Sequence, residues 1–142
     1  MRMTIQTLAV IGAGTMGAGI AQICAQAGWE TRLHDAFPEG LEAGMERIDS
    51  FWEKGIARGK TSSEQKSEWA GNLRAVSDLA EAVHDVDLVI EAVPEILDLK
   101  QQIFAELDVL APPTALLGTN TSGLRISEIA SATNRPDRVV GM

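Results

Sequence analysis

Two sets of residues in this chain have types and spacing suited to chemistry on their own terms. The first is Gly12-Ala13-Gly14-Thr15-Met16-Gly17, a G-x-G-x-x-G set between an apolar run and a helical stretch. Gly12 permits a tight turn, Gly14 lets backbone approach a pyrophosphate, and Gly17 allows the following helix to lie close to the sheet. The N–H groups of that helix, with Thr15 and Met16 in its first turn, then face the phosphates. The second is Asp35, which stands at the carboxyl end of the next strand, about 20 residues on, where a carboxylate accepts hydrogen bonds from ribose hydroxyls. A carboxylate also repels a 2′-phosphate, and Ala36, Phe37 and Pro38 bring no cation to bind one. The expected cofactor is therefore NAD(H) rather than NADP(H). FAD enzymes and some methyltransferases share the opening motif. Further along, Asn120-Thr121-Ser122 reads by itself as a loop or helix cap, and Lys100 as a solvated helix residue.

The elements that must position these residues alternate between strand and helix, the pattern of a parallel sheet with crossover helices. Thr7–Ile11 reads as a buried first strand, Thr15–Ala27 as a helix closed by Gly28, and Thr31–His34 as the strand that delivers Asp35. From Pro38 to about Ala70 the pattern is helical only. Leu41, Met45, Ile48, Trp52 and Ile56 recur at helical spacing, Gly59 breaks the run, and Ser62 with Gln65 forms a capping box for a second helix. The expected insertion is a helical hairpin, either packed on the surface or reaching over a ligand. Strands are then expected at Leu73–Val76, Asp87–Val93, Ala115–Gly118 and Arg138–Met142. Helices lie between them, one capped by Ser77 and running through Val83, one at Ile96–Leu110 and one at Ile126–Ala132. The fold class is α/β: one doubly wound Rossmann domain over residues 1–142, strand order 3-2-1-4-5-6, with the ligand crevice at the carboxyl ends of strands one and four.

Composition narrows the function further. With 45% hydrophobic and 23% charged residues the chain has a globular balance, and no apolar run approaches the roughly 18 residues of a membrane span. A cytoplasmic protein without a membrane partner is expected. The net charge of −8 argues against nucleic acid, which needs a dense Lys/Arg footprint. Cys24 is the only cysteine, in an Ala/Ile-rich helical stretch, and reads as a core residue. His34 lies in a strand and His84 in a turn, so neither is expected to face a reacting group, and no metal site is expected.

Three stretches, GAGTMGAGIAQICAQAG (12–28), EAVPEILDLKQQIFAELD (91–108) and TNTSGLRISEIA (119–130), together resemble the 3-hydroxyacyl-CoA dehydrogenase family, in its 3-hydroxybutyryl-CoA dehydrogenase-like branch. The resemblance runs over essentially the whole chain. It implies NAD-dependent oxidation of an L-3-hydroxyacyl-CoA to the 3-oxoacyl-CoA, as in fatty-acid β-oxidation or butanoate metabolism. By resemblance Glu95 and Lys100 line the nicotinamide-side ribose and phosphate region of the cofactor. Asn120 belongs to the same cofactor region. Ser122 hydrogen-bonds the reacting oxygen of the substrate and orients the catalytic histidine. Glu95 and Ser122 stand just past the ends of strands four and five, where ligands bind in such sheets. The resemblance also draws Coenzyme A phosphate contacts from the hairpin, where Lys54, Arg58 and Lys60 are available, Arg58 as a bidentate partner. Pro94, Ile96 and Gly123 depart from the family pattern, and sugar-acid or carnitine 3-dehydrogenases share the glutamate-rich motif with the proline. The acyl chain length therefore stays open, and a non-catalytic dinucleotide-binding module is a third reading.

The same resemblance places the histidine base directly after a pair such as Gly141-Met142, and a helical C-terminal substrate and dimerisation domain beyond it. Both fall outside these residues. The expectation is an engineered or cleaved fragment of a homodimer that binds NAD(H) without turning over substrate.

Overall fold

The computed structural model describes residues 5–121 and 126–142. Within them six parallel strands form one sheet in the order β3-β2-β1-β4-β5-β6: β1 (Thr7–Ile11), β2 (Glu30–His34), β3 (Leu73–Ala75), β4 (Leu88–Glu91), β5 (Leu116–Thr119) and β6 (Val139–Gly141). This is the doubly wound order expected from the sequence. β1 sits between β2 and β4, with Ile11 in register with both His34 and Glu91. The strand ends that carry the site are thus level with one another.

Side chains of a strand alternate between faces, and the two cores follow that alternation. Leu8 and Val10 of β1, with Leu88 and Ile90 of β4, pack against Ala18, Ala21 and Cys24 of helix α1 (Thr15–Gln26) and Ile48 and Trp52 of α2 (Pro38–Ala57). Ala9, Ile11 and Val89 turn the other way, onto Phe104 and Leu107 of α5 (Leu97–Leu110) and Ile129 of α6 (Ile126–Ala130). Glu91 shares the pleat of Val89, so it enters the α5 side of the sheet. Cys24 is buried in the first core, and burial pushes its thiol pKa up, as befits a packing residue.

The hairpin after β2 is α2 followed by α3 (Ser63–Ala70). Its turn contains Gly59 at φ +71°, and the Ser62–Gln65 capping box is fully formed. The stripe Leu41, Ile48 and Trp52 is buried against the first core. Trp52 Nε1 donates to Gln26 Oε1 of α1 at 2.9 Å, and the Trp52 and Trp69 rings lie 5.9 Å apart. The insertion is therefore packed along α1 rather than held out as an arm. Several element ends shift by a residue or two from the sequence reading, and two of the differences have a visible cause. Asp78, not Ser77, caps the short helix α4 (Leu79–Ala82), its carboxylate accepting from the Glu81 amide at 3.3 Å. β4 ends at Glu91 instead of running to Val93, because the Glu91 carboxylate takes the Val93 amide out of the ladder.

Candidate cofactor site

The phosphate loop leaves β1 through Gly12, whose φ of +107° strongly favours glycine. Its amide donates to His34 O at 2.8 Å. A Cβ at Gly12 would stand 2.7 Å from Ala92 O, so the loop also needs glycine to cross over the end of β4. A Cβ at Gly17 would collide with the Gly12 carbonyl. Gly17 thus lets α1 close onto the loop itself. Gly14 is different: a Cβ there would meet nothing within 4 Å. Gly14 is the N-cap of α1, and no side chain of the described residues caps the helix. The open space in front of it is what a pyrophosphate would fill, held by first-turn amides and the positive end of the helix dipole. Thr15 and Met16 are exposed beside it.

Asp35 buttresses this loop. Its Oδ2 accepts from the Ala13 amide at 2.8 Å and its Oδ1 from the Phe37 amide at 2.9 Å. Each carboxylate oxygen has a second lone-pair site, so the half-buried group keeps acceptor capacity for a ribose diol. Helix α2 reaches this point because Gly40 and Gly44 lack side chains. A Cβ at Gly40 would lie 2.9 Å from Asp35 Oδ1, and one at Gly44 would lie 2.6 Å from Ala13 O.

These residues open onto a cleft of about 740 Å³ at the ends of β1, β2 and β4, within the usual range for a small-molecule site. Gly12, Gly14, Thr15, Met16 and Asp35 line it, with Phe37, Leu79, Leu99 and Ile103 forming apolar walls. No Lys or Arg occurs among its described lining residues. The cleft fits a dinucleotide whose ribose carries no phosphate. His34 also borders it, but Nδ1 is held 2.9 Å from Val76 O. A carbonyl only accepts, so Nδ1 carries the proton. His84 is exposed in a turn, its Nε2 3.1 Å from Asp85 Oδ2. A smaller groove of about 370 Å³ lies between α1 and α2, with Thr15, Arg47 and Lys54 on its rim.

Beside the cleft, at the ends of β4 and β5, the structure gathers a buried polar cluster. Lys100 is 0% exposed rather than solvated. Its Nζ lies 3.1 Å from both carboxylate oxygens of Glu91, donates to Asn120 O at 2.9 Å, and stands 3.4 Å from Glu95 Oε1. Thr121 Oγ1 donates to Glu95 Oε1. Lys100 therefore does not line the cleft, and neither do Glu95 or Asn120; Pro94 does. Ser122 lies outside the described residues. Arg58 is an exposed residue at the C-cap of α2, about 30 Å along the helix from the Asp35 end at 1.5 Å per residue. Sequence reasoning passed over Glu91 as part of an apolar strand. The available signal was an acid in a parallel strand buried on both faces, where it must find a partner.

The 3-hydroxyacyl-CoA dehydrogenase, NAD binding domain family matches residues 7–142. The chain belongs to this family. A probable 3-hydroxybutyryl-CoA dehydrogenase of Bacillus subtilis is 43% identical over 141 residues, which are 99% of this chain and 48% of that protein. The chain thus spans about half the length of that relative. The crystal structure of 3-hydroxybutyryl-CoA dehydrogenase from Escherichia coli K12 superposes with a TM-score of 0.93 at 40% identity, over 98% of this chain and 29% of that one. That of (S)-3-hydroxybutyryl-CoA dehydrogenase from Ralstonia eutropha gives 0.93 at 31% identity, over 98% and 49%. The cofactor of this family's domain is NAD, in agreement with the absence of Lys and Arg from the described lining of the Asp35 cleft.

Proposed function

We propose that the chain is the cofactor half of an NAD-dependent 3-hydroxyacyl-CoA dehydrogenase, acting on short L-3-hydroxyacyl-CoA substrates such as 3-hydroxybutyryl-CoA. The observation that carries the reading is the pairing of an open N-cap at Gly14 with a carboxylate at Asp35 in one cleft whose described lining holds no Lys or Arg. The similarity to proteins named 3-hydroxybutyryl-CoA dehydrogenases supports the substrate class, and the (S) configuration in one of those names supports the L isomer. Bound NAD supplies a hydride acceptor at its nicotinamide C4. The chain's own residues bind and orient. The Gly12–Gly17 loop holds the pyrophosphate, Asp35 the adenosine ribose, and Glu95 and Asn120 the nicotinamide side, while the family resemblance gives Ser122 the substrate oxygen. Arg47 and Lys54 in the groove between α1 and α2, with Arg58 beyond them, supply the cations for a Coenzyme A phosphate.

The proton of the 3-hydroxyl needs a base. His34 sits on the adenosine side with one nitrogen bound to Val76 O, and His84 lies in an exposed turn. Neither is placed to take that proton, and the family resemblance implies a histidine base that follows Gly141-Met142. The substrate domain and the dimer interface belong with it, in a pathway that oxidises acyl chains in the cytoplasm. Among the described residues no helix is long and apolar enough to cross a membrane. The test is acetoacetyl-CoA reduction followed by NADH absorbance. The purified chain should bind NADH and show no turnover, whereas a full-length protein containing it should reduce the substrate. Turnover by the chain alone would overturn the assignment of the base.

A further inference from the structure

Glu91 is 0% exposed, and so is Lys100. Both charges are withdrawn from water, and their attraction alone does not repay that. The cluster compensates by satisfying the remaining polar sites. Glu91 Oε1 accepts from Thr119 Oγ1 at 2.6 Å, and Oε2 from the Val93 amide at 2.6 Å. Lys100 completes its set with Asn120 O and Glu95. A buried ion pair seldom adds net stability over apolar residues of similar volume, so the attraction of the pair alone does not explain why charges stand here. Placement does. One carboxylate ties together the end of β4, the end of β5 and the first turns of α5, three elements that converge only at this point. The outermost members of the cluster, Glu95 and Asn120, are partly exposed just past the ends of β4 and β5.

We propose that Glu91 is a positioning residue for the nicotinamide half of the cofactor, acting through Lys100 to hold the Glu95 carboxylate and the Asn120 loop where they meet it. The proposal rests on the placement of the two cofactor halves given above. Asp35 and the glycine loop serve adenosine and pyrophosphate, so ADP reports on that half alone and NADH on both.

The experiment titrates the purified chain with NADH and with ADP. If the unmodified chain binds neither, the cofactor reading itself fails, whatever Glu91 does. If it binds both, Glu91→Gln, which turns an amide towards Lys100, should weaken NADH by about tenfold or more and change ADP by less than about twofold. The double variant Glu91→Leu with Lys100→Met removes both charges but leaves the Val93 amide and the Thr119 hydroxyl without their acceptor, so its melting temperature should fall by several degrees while it stays folded at the temperature of the titration. It should show the same selective loss of NADH. A merely structural role would not separate the two ligands. NADH and ADP weakened by the same factor, or NADH affinity restored in the double variant, would overturn the proposal.

Discussion

Alanine at Gly14 and alanine at Gly17 are expected to part company, although the two positions are three residues apart in one loop. At Gly14 the backbone is extended (φ −70°, ψ −169°), which any residue adopts, and an added Cβ meets nothing within 4 Å. Alanine is a poorer N-cap by some tenths of a kcal/mol, and the less flexible unfolded chain returns about 0.4–1 kcal/mol. The melting temperature should hold to within about 2 °C. The methyl would nevertheless occupy the open space at the N-cap that the pyrophosphate is proposed to fill. Each charge-assisted hydrogen bond lost to a phosphate is worth about 1.5–3 kcal/mol, and about 1.4 kcal/mol is tenfold in affinity. Gly14→Ala should therefore raise the NADH Kd by about 10- to 100-fold without unfolding anything. At Gly17 the methyl overlaps the Gly12 carbonyl oxygen and comes within 2.8 Å of its carbon. Both are backbone and cannot swing aside. The helix gains about 0.8–1 kcal/mol from replacing glycine, against an overpacking cost of about 1–3 kcal/mol or more. A contact of 1.7 Å with backbone puts the cost at the top of that range, so the net loss of about 2 kcal/mol lowers the melting temperature by roughly 4–8 °C, and binding falls with it as the loop shifts. Thermal melts and NADH titrations of both variants are the assay. A Gly14→Ala chain that binds NADH normally, or a Gly17→Ala chain as stable as Gly14→Ala, would refute the placement of the pyrophosphate.

The remaining expectations concern Asp35 and Asp108. Asp35→Asn should weaken NADH by about 10-fold or more and narrow the preference over NADPH, since a neutral amide no longer repels a 2′-phosphate; an unchanged NADH-to-NADPH ratio in competitive titration would count against it. Burial works to raise the Asp108 pKa, but the Asn134 amide and the Arg135 guanidinium outweigh it and hold the carboxyl below its ordinary value. A depressed carboxylate pKa contributes stability that is complete above the unfolded value, about pH 4, and is lost as pH falls through the lower folded value. Asp108→Asn should accordingly cost roughly 1–3 kcal/mol at neutral pH and flatten the acid limb of stability below about pH 4 in denaturant melts. An acid limb as steep as that of the unmodified chain would contradict the assignment.

How far the sequence was legible depended on whether a residue's partner was local. Ser62 and Gln65 announce their capping box because both members lie within one turn. The apolar runs of β1 and β4 and the glycines of the phosphate loop announce a parallel sheet and a ligand end, because strand and loop chemistry are encoded in adjacent residues. The position of Asp35 at the end of β2 was legible, but not its buttressing of Ala13 and Phe37, which depends on how the loop folds back over β2. Lys100 misled for a related reason. In Leu-Asp-Leu-Lys-Gln-Gln it has the pattern of a solvated helix position, and its partner lies nine residues upstream in another element. Arg135, which donates to Asp108 O, Ala111 O, Pro112 O and Ala115 O beyond the end of α5, is hidden in the same way. It satisfies carbonyls whose orphan state no local pattern reveals.

The central claim is that this chain binds NAD(H) in the cleft at Asp35 and discriminates against the 2′-phosphate. Titration of the purified chain with NADH and NADPH under the same salt and pH tests it most directly. Saturable NADH binding, with NADPH weaker by about tenfold or more, is the predicted result. No saturable NADH binding, or NADPH bound as tightly as NADH, would contradict it.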